Sequence, residues 1–127
     1  MKAALALLLL AAAPAQAALT VRTGETWVFT VHKGEPAKAR KVAYSAKPAK
    51  GQIMVSIRAM MGTTMIVTNA SPIAYTFRAE LVQNGKRTAA RACTLPANDR
   101  PIFEQWQQKA DAVRISGFKA AGAEGRC

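Results

Sequence analysis

Acidic side chains are scarce in this chain. Asp and Glu number 7 against 18 Lys and Arg, for a formal net charge of +11. Histidine occurs once, as His32, and cysteine twice, as Cys93 and Cys127. Each shortage argues against a chemistry. The few acids form no close pair of the kind glycoside hydrolysis uses. His32 has no assignable acid to orient it, and no Ser stands in a Gly-x-Ser-x-Gly turn for it to activate. No Cys-x-x-Cys spacing marks a redox centre. Gly62, Gly85 and Gly117 stand singly, so there is no phosphate-cradling loop. The chain reads as a non-enzyme that calls for no cofactor.

Long apolar runs are also lacking. The run from Ala3 to Ala13 falls short of the ~20 residues that span a bilayer. It lies between Lys2 and Pro14, and Ala15-Gln16-Ala17 follows with small residues at the two positions a signal peptidase reads. That is the three-part pattern of a secretory signal peptide. We expect residues 1–17 to be removed and residues 18–127 to form a single secreted β domain, in the periplasm or outside the cell. No cysteine follows the expected cut, which argues against a lipid anchor there, and no later stretch is apolar enough to cross a membrane. Such a compartment permits oxidation, so Cys93 and Cys127 are expected to form one structural disulfide. Closing a loop of about 35 residues would contribute roughly 3–4 kcal/mol in the chain-entropy model.

The positive charge is unevenly spread. Lys38, Arg40, Lys41, Lys47, Lys50 and Arg58 fall in one stretch that contains no acid, whereas the signs nearly balance after Cys93. A lopsided field attracts anions. Outside the cytoplasm nucleic acid is a poor candidate; anionic lipid, lipopolysaccharide, acidic glycan or an acidic protein are better partners. Simple solubility is the competing explanation.

Strand signals dominate the rest. Residues 25–32 alternate Trp27, Phe29 and Val31 against Thr26, Thr30 and His32, the period of two of a half-buried strand. Lys33-Gly34-Glu35-Pro36 reads as a turn and residues 41–47 as the next strand. Ile53, Val55 and Ile57 then share one face. Thr68 to Pro72 reads as a turn, with Asn69 and Ser71 able to bond the local backbone. Asn69-Ala70-Ser71 also matches the glycosylation sequon. Val67 to Ser71 with Tyr75 beyond resembles a short piece of many sandwich domains, among them the first domain of periplasmic pilus chaperones; the likeness spans under twenty residues and carries over no functional residue.

Residues 73–82 alternate strongly and lead into Asn84-Gly85, the signal for a two-residue type I′ turn. Counting back from that turn sets Leu81 opposite Thr88, Ala79 opposite Ala90, Phe77 opposite Ala92 and Thr76 opposite Cys93. Cys93 would then lie on the outer, arginine-bearing face of the hairpin. Asp99 as N-cap with Pro101 in the first turn predicts a short helix to about Lys109, with Ile102, Phe103 and Trp106 on one side. Residues 112–118 read as a last strand with Val113 and Ile115 inward. The sum predicts an all-β fold, a small antiparallel sandwich with one short helix near the C-terminus. An immunoglobulin-like order is one form of it, and a small closed barrel is the alternative.

Met54, Met60, Met61 and Met65 crowd into twelve residues. Thioethers bind copper(I), which makes Met60, Met61 and Met65, with His32, an alternative metal site. Strand alternation opposes it: Met54 and Met60 would point outward about 20 Å apart, and Met61 inward. Methionine is also a common filler of irregular core gaps. The expected function is therefore binding or adaptor work on an anionic envelope component or acidic partner, with a methionine-based copper protein as the alternative and a small structural envelope subunit as a third reading.

Overall fold

A computed structural model describes residues 18–122 of the chain. Nine strands occur among them, in the order β1 (Leu19–Arg22), β2 (Thr26–His32), β3 (Glu35–Val42), β4 (Ile53–Arg58), β5 (Thr63–Asn69), β6 (Tyr75–Gln83), β7 (Lys86–Ala90), β8 (Pro101–Trp106) and β9 (Ala112–Ala120). They form a four-stranded sheet, β1-β9-β6-β7, and a five-stranded sheet, β3-β2-β4-β5-β8, antiparallel throughout. The expected sandwich is thus present and the closed barrel is not. The strand order differs from the immunoglobulin one, which would set the second strand beside the fifth; here β2 pairs with β3 and β4.

The inward faces follow the alternation read from the sequence. Phe29, Ile53, Val55, Ile57, Met65 and Val67 come from the larger sheet, and Val21, Leu81, Val113 and Ile115 from the smaller one. Phe118 stands where the sheets meet. Its ring lies 5.6 Å from that of Phe29, 5.8 Å from Tyr75 and 5.2 Å from Phe77. Phe118 reaches this position through a bulge at Gly117–Phe118, two residues that face Phe77 alone, with Gly117 at φ +65°.

Two hairpins turn on a pair of left-handed residues: Lys33-Gly34 (φ 52° and 81°) and Asn84-Gly85 (φ 50° and 79°). Positive φ at both centres is the type I′ requirement, which matches the strand twist. The first turn is shorter than expected. Glu35 and Pro36 already belong to β3, and residues 43–47 are not a strand. Proline is tolerated there because β3 is an edge.

The second hairpin keeps the expected register from Gln83↔Lys86 through Leu81↔Thr88 to Ala79↔Ala90, and there it ends. Phe77 does not pair with Ala92, nor Thr76 with Cys93. Residues 91–93 instead leave the smaller sheet for β8 of the larger one. Trp106 Nε1 donates to the Arg91 carbonyl at 3.1 Å, and the Cys93 N–H donates to the buried Glu104 carboxylate. Cys93 therefore sits at the seam between the sheets and not on the outer face of the hairpin. Cys127 and the expected signal sequence, residues 1–17, lie outside the described residues.

The expected helix over 99–109 is absent; no helix occurs among the described residues. Asp99 has φ +68°, which a helix N-cap does not adopt. Residues 101–106 form β8, with six ladder partners along β5. Ile102 and Trp106 do share a face, because a spacing of four repeats in a strand as well as in a helix. Phe103 separates the two structures: it points away from them, with 65% of its surface exposed. A helix this short is marginal by itself, whereas an open β5 edge offers a full ladder.

Candidate binding surface

Ladder pairing fixes what the outer face of the five-stranded sheet carries. One row runs Val42–Thr26–Ser56–Ile66–Phe103, the next Arg40–Val28–Met54–Thr68–Pro101, and Arg58–Thr64–Gln105 flanks the first row on its other side. Alternation alone would leave all of these in water. Thr26 and Val28 are nevertheless buried. The topology explains this. β3 and β4 are both antiparallel to β2 and lie on opposite sides of it, so residues 43–52 must cross β2 to join them. The core occupies the inner face, so the crossing runs over the outer one. Beneath it the hydroxyls of Thr26 and Ser56 bond each other at 2.7 Å.

The same crossing delivers charge. Lys47 and Lys50 ride on it, Arg40 projects from β3, and Arg58 from β4 has its guanidinium 3.9 Å from the Tyr44 ring centroid. Stacking on an aromatic face orients the cation while leaving its edges free for an anion. Lys38 occupies a bulge in β3, where Lys38 and Ala39 face Phe29 alone, and it takes φ +54°. A bulge, a proline and cations on an edge strand also discourage pairing with other chains. Lys38 and Arg40 therefore have a second use that requires no ligand.

Lys41 differs from the other five. It sits opposite Trp27, and its Nζ reaches Glu25 at 3.4 Å. Glu25 also accepts from the Trp27 indole N–H at 2.9 Å and from the Arg22 N–H at 3.1 Å. These bonds, that of Trp27 foremost, hold its carboxyl below the ordinary value. An acid outside the cationic stretch thus balances one of the six; among the described residues no ion pair forms to the remaining five. The outer face of the smaller sheet is organised otherwise. There Arg114 and Arg87 share Glu80, at 2.8 and 3.9 Å.

The methionines divide. Met65 faces inward and is fully buried; Met54 faces outward on β4. Met60 and Met61 form the tip between β4 and β5, and Met61, expected inward, is 82% exposed with φ +47°. His32 closes the far end of β2, and the tip lies beyond the Thr26 end. The structure brings Met60 and Met61 together but neither Met65 nor His32 to them. Among the described residues no three His, Cys, Asp or Glu side chains gather as a metal site.

Asn69 needed the tertiary structure to be understood. It is fully buried, and its amide donates to the carbonyls of Ile73 at 2.7 Å and Pro96 at 3.2 Å while accepting from Ser71 N–H at 3.1 Å. The sequon nitrogen is thus engaged in the folded chain. Two hollows of about 490 and 580 Å³ flank this end of the sandwich and share Pro72 and Asn98. Lys50 lines one and Arg100 the other. The loop between them is braced by Asn98 N–H to Ser71 O and Asp99 N–H to Asn69 O.

No protein family, curated protein or solved structure matches the chain.

Proposed function

We propose that this chain is a small exported, non-enzymatic binding domain whose five-stranded sheet turns its outer face to an anionic surface of the cell envelope or to an acidic partner. The observation that carries the reading is the outer face of the larger sheet: Arg40 projects from β3, Arg58 stands on the Tyr44 ring, and among the described residues neither forms an ion pair, whereas on the smaller sheet Arg87 and Arg114 share Glu80. Oriented cations without counter-charges retain their attraction for an external anion. Export follows from residues 1–17, and in that compartment a Cys93–Cys127 link would tie down the C-terminal tail.

Retention of the full chain on an anionic matrix tests the reading. It should fall steeply as salt rises. The triple variant Arg40→Gln, Lys47→Gln, Arg58→Gln should elute at markedly lower salt, and unchanged elution would end the proposal.

A further inference from the structure

We infer that the anion this face meets is a lipid bilayer, which it enters by a shallow apolar insertion; this rests on the binding role proposed above. The structure leaves five large apolar side chains well exposed among the described residues, and four of them belong to this face or its tip: Tyr44 (56%), Met60 (52%), Met61 (82%) and Phe103 (65%). Ile73 is the exception. Their placement is not scattered. Phe103 and half-buried Ile66 occupy adjoining strands of one row, and Gln105 of the neighbouring row reaches the Met60 carbonyl at 3.5 Å. The methionine tip therefore borders the same open quarter of the sheet as Phe103. The crossing loop covers β2, whereas in this quarter Phe103 stays exposed and Ile66 half-buried around a buried Thr64 whose hydroxyl donates to the Met60 carbonyl.

One cation borders the apolar quarter and others lie across the same face. Arg58 lies between Tyr44 and the tip, with Lys47 on the loop and Arg40 on the far strand. A soluble acidic polymer would use only the cations and leave the apolar groups in water. A second copy of this chain would use only the apolar groups, and a two-fold contact would press like charges together. An anionic bilayer uses both. Aromatic and methionine side chains enter the headgroup–acyl boundary while Arg and Lys hold the phosphates above it. Met61 at a protruding turn and Phe103 on an open sheet face are placed to enter first.

The test uses the full chain with vesicles of phosphatidylcholine containing phosphatidylglycerol, and with dextran sulfate as a soluble polyanion. Wild type should bind both, with part of the vesicle binding surviving salt that abolishes dextran sulfate binding. Met61→Ser with Phe103→Ser should weaken vesicle binding by about 10-fold or more and leave dextran sulfate binding unchanged. Circular dichroism and urea unfolding of that variant confirm that it folds. As a second readout, Phe103→Trp should shift its emission to the blue on vesicles and be quenched by brominated lipid. Vesicle binding unaltered by the double substitution overturns the insertion and leaves the charged surface standing. Dextran sulfate binding without vesicle binding does the same and points to a polymer or acidic protein. Failure to bind either probe removes the underlying reading as well.

Discussion

The guanidinium of Arg58 lies 3.9 Å from the centre of the Tyr44 ring, so a strand residue is coupled to the loop that crosses the sheet beside it. Both partners are partly in water, where such a contact contributes about 0.5–1 kcal/mol. Tyr44→Ala is expected to cost no more than about 1 kcal/mol in urea unfolding. Its larger effect should be on binding. Arg58 loses its orientation and the loop carrying Lys47 loses a tether, so elution from an anionic matrix should move to lower salt. Tyr44→Phe keeps the ring and should behave as wild type.

Gly62 and Gly85 both take positive φ, at +98° and +79°, yet they should respond differently to alanine. A methyl group at Gly62 would stand 2.2 Å from the Trp106 carbonyl oxygen, where strand β8 abuts the methionine tip. Backbone must shift to admit it, in addition to the left-handed strain, for a loss of about 3 kcal/mol or more. Gly85 has open space around it and should lose only about 1–2 kcal/mol. Urea midpoints of the two variants, compared at constant m, measure the difference.

Phe118 contacts three rings, from both sheets. Phe118→Ala should cost about 3–5 kcal/mol, the range for deleting a buried aromatic side chain. Phe118→Leu keeps most of the volume and should cost about half of that or less. Near-ultraviolet circular dichroism should lose intensity in both variants, because the rings that remain lose their fixed neighbour.

Glu25 makes the structure sensitive to acid. Its carboxyl is held below the ordinary value of 4.5, chiefly by the Trp27 indole N–H. A depressed folded-state pKa contributes stability that is fully present above the unfolded value and is lost as pH falls through the folded one. Glu25→Gln should therefore be less stable than wild type at neutral pH, with the gap closing as pH drops below about 4.5. Urea unfolding at a series of pH values measures the gap. A gap that stays constant across that range would show that the carboxyl's charge contributes nothing.

Much of the fold is legible in local pattern. Asn84-Gly85 fixed one hairpin because few residue pairs accept two positive φ values, and the register then follows by counting as far as Ala79 and Ala90. Lys33-Gly34 adopts the same turn, but lysine is not a turn signal, and the proline of Glu35-Pro36 extends the apparent turn into β3. β8 was unreadable for a different reason. Ile102 and Trp106 lie four apart, a spacing that suits a helix and a strand alike, and only the open edge of β5 decided between them. Four residues beside an expected cleavage point carry too little periodicity to mark β1, although Leu19 and Val21 do alternate with Thr20 and Arg22.

Alternating side chains determined that this chain stacks two antiparallel sheets, since period two leaves each strand one apolar face to bury. The same sequence also concentrated six cations in one stretch. Tertiary structure decided which outward positions stay open. Thr26 and Val28 are covered because a connection between parallel neighbours has to pass over the strand between them, while Ile66 and Phe103 lie beyond its reach. It likewise gave Lys41 an acid from the turn that leads into β2 and set Arg58 on an aromatic ring. Burial of an outward side chain and pairing of a charge both depend on segments distant along the chain, and local pattern carries no record of them.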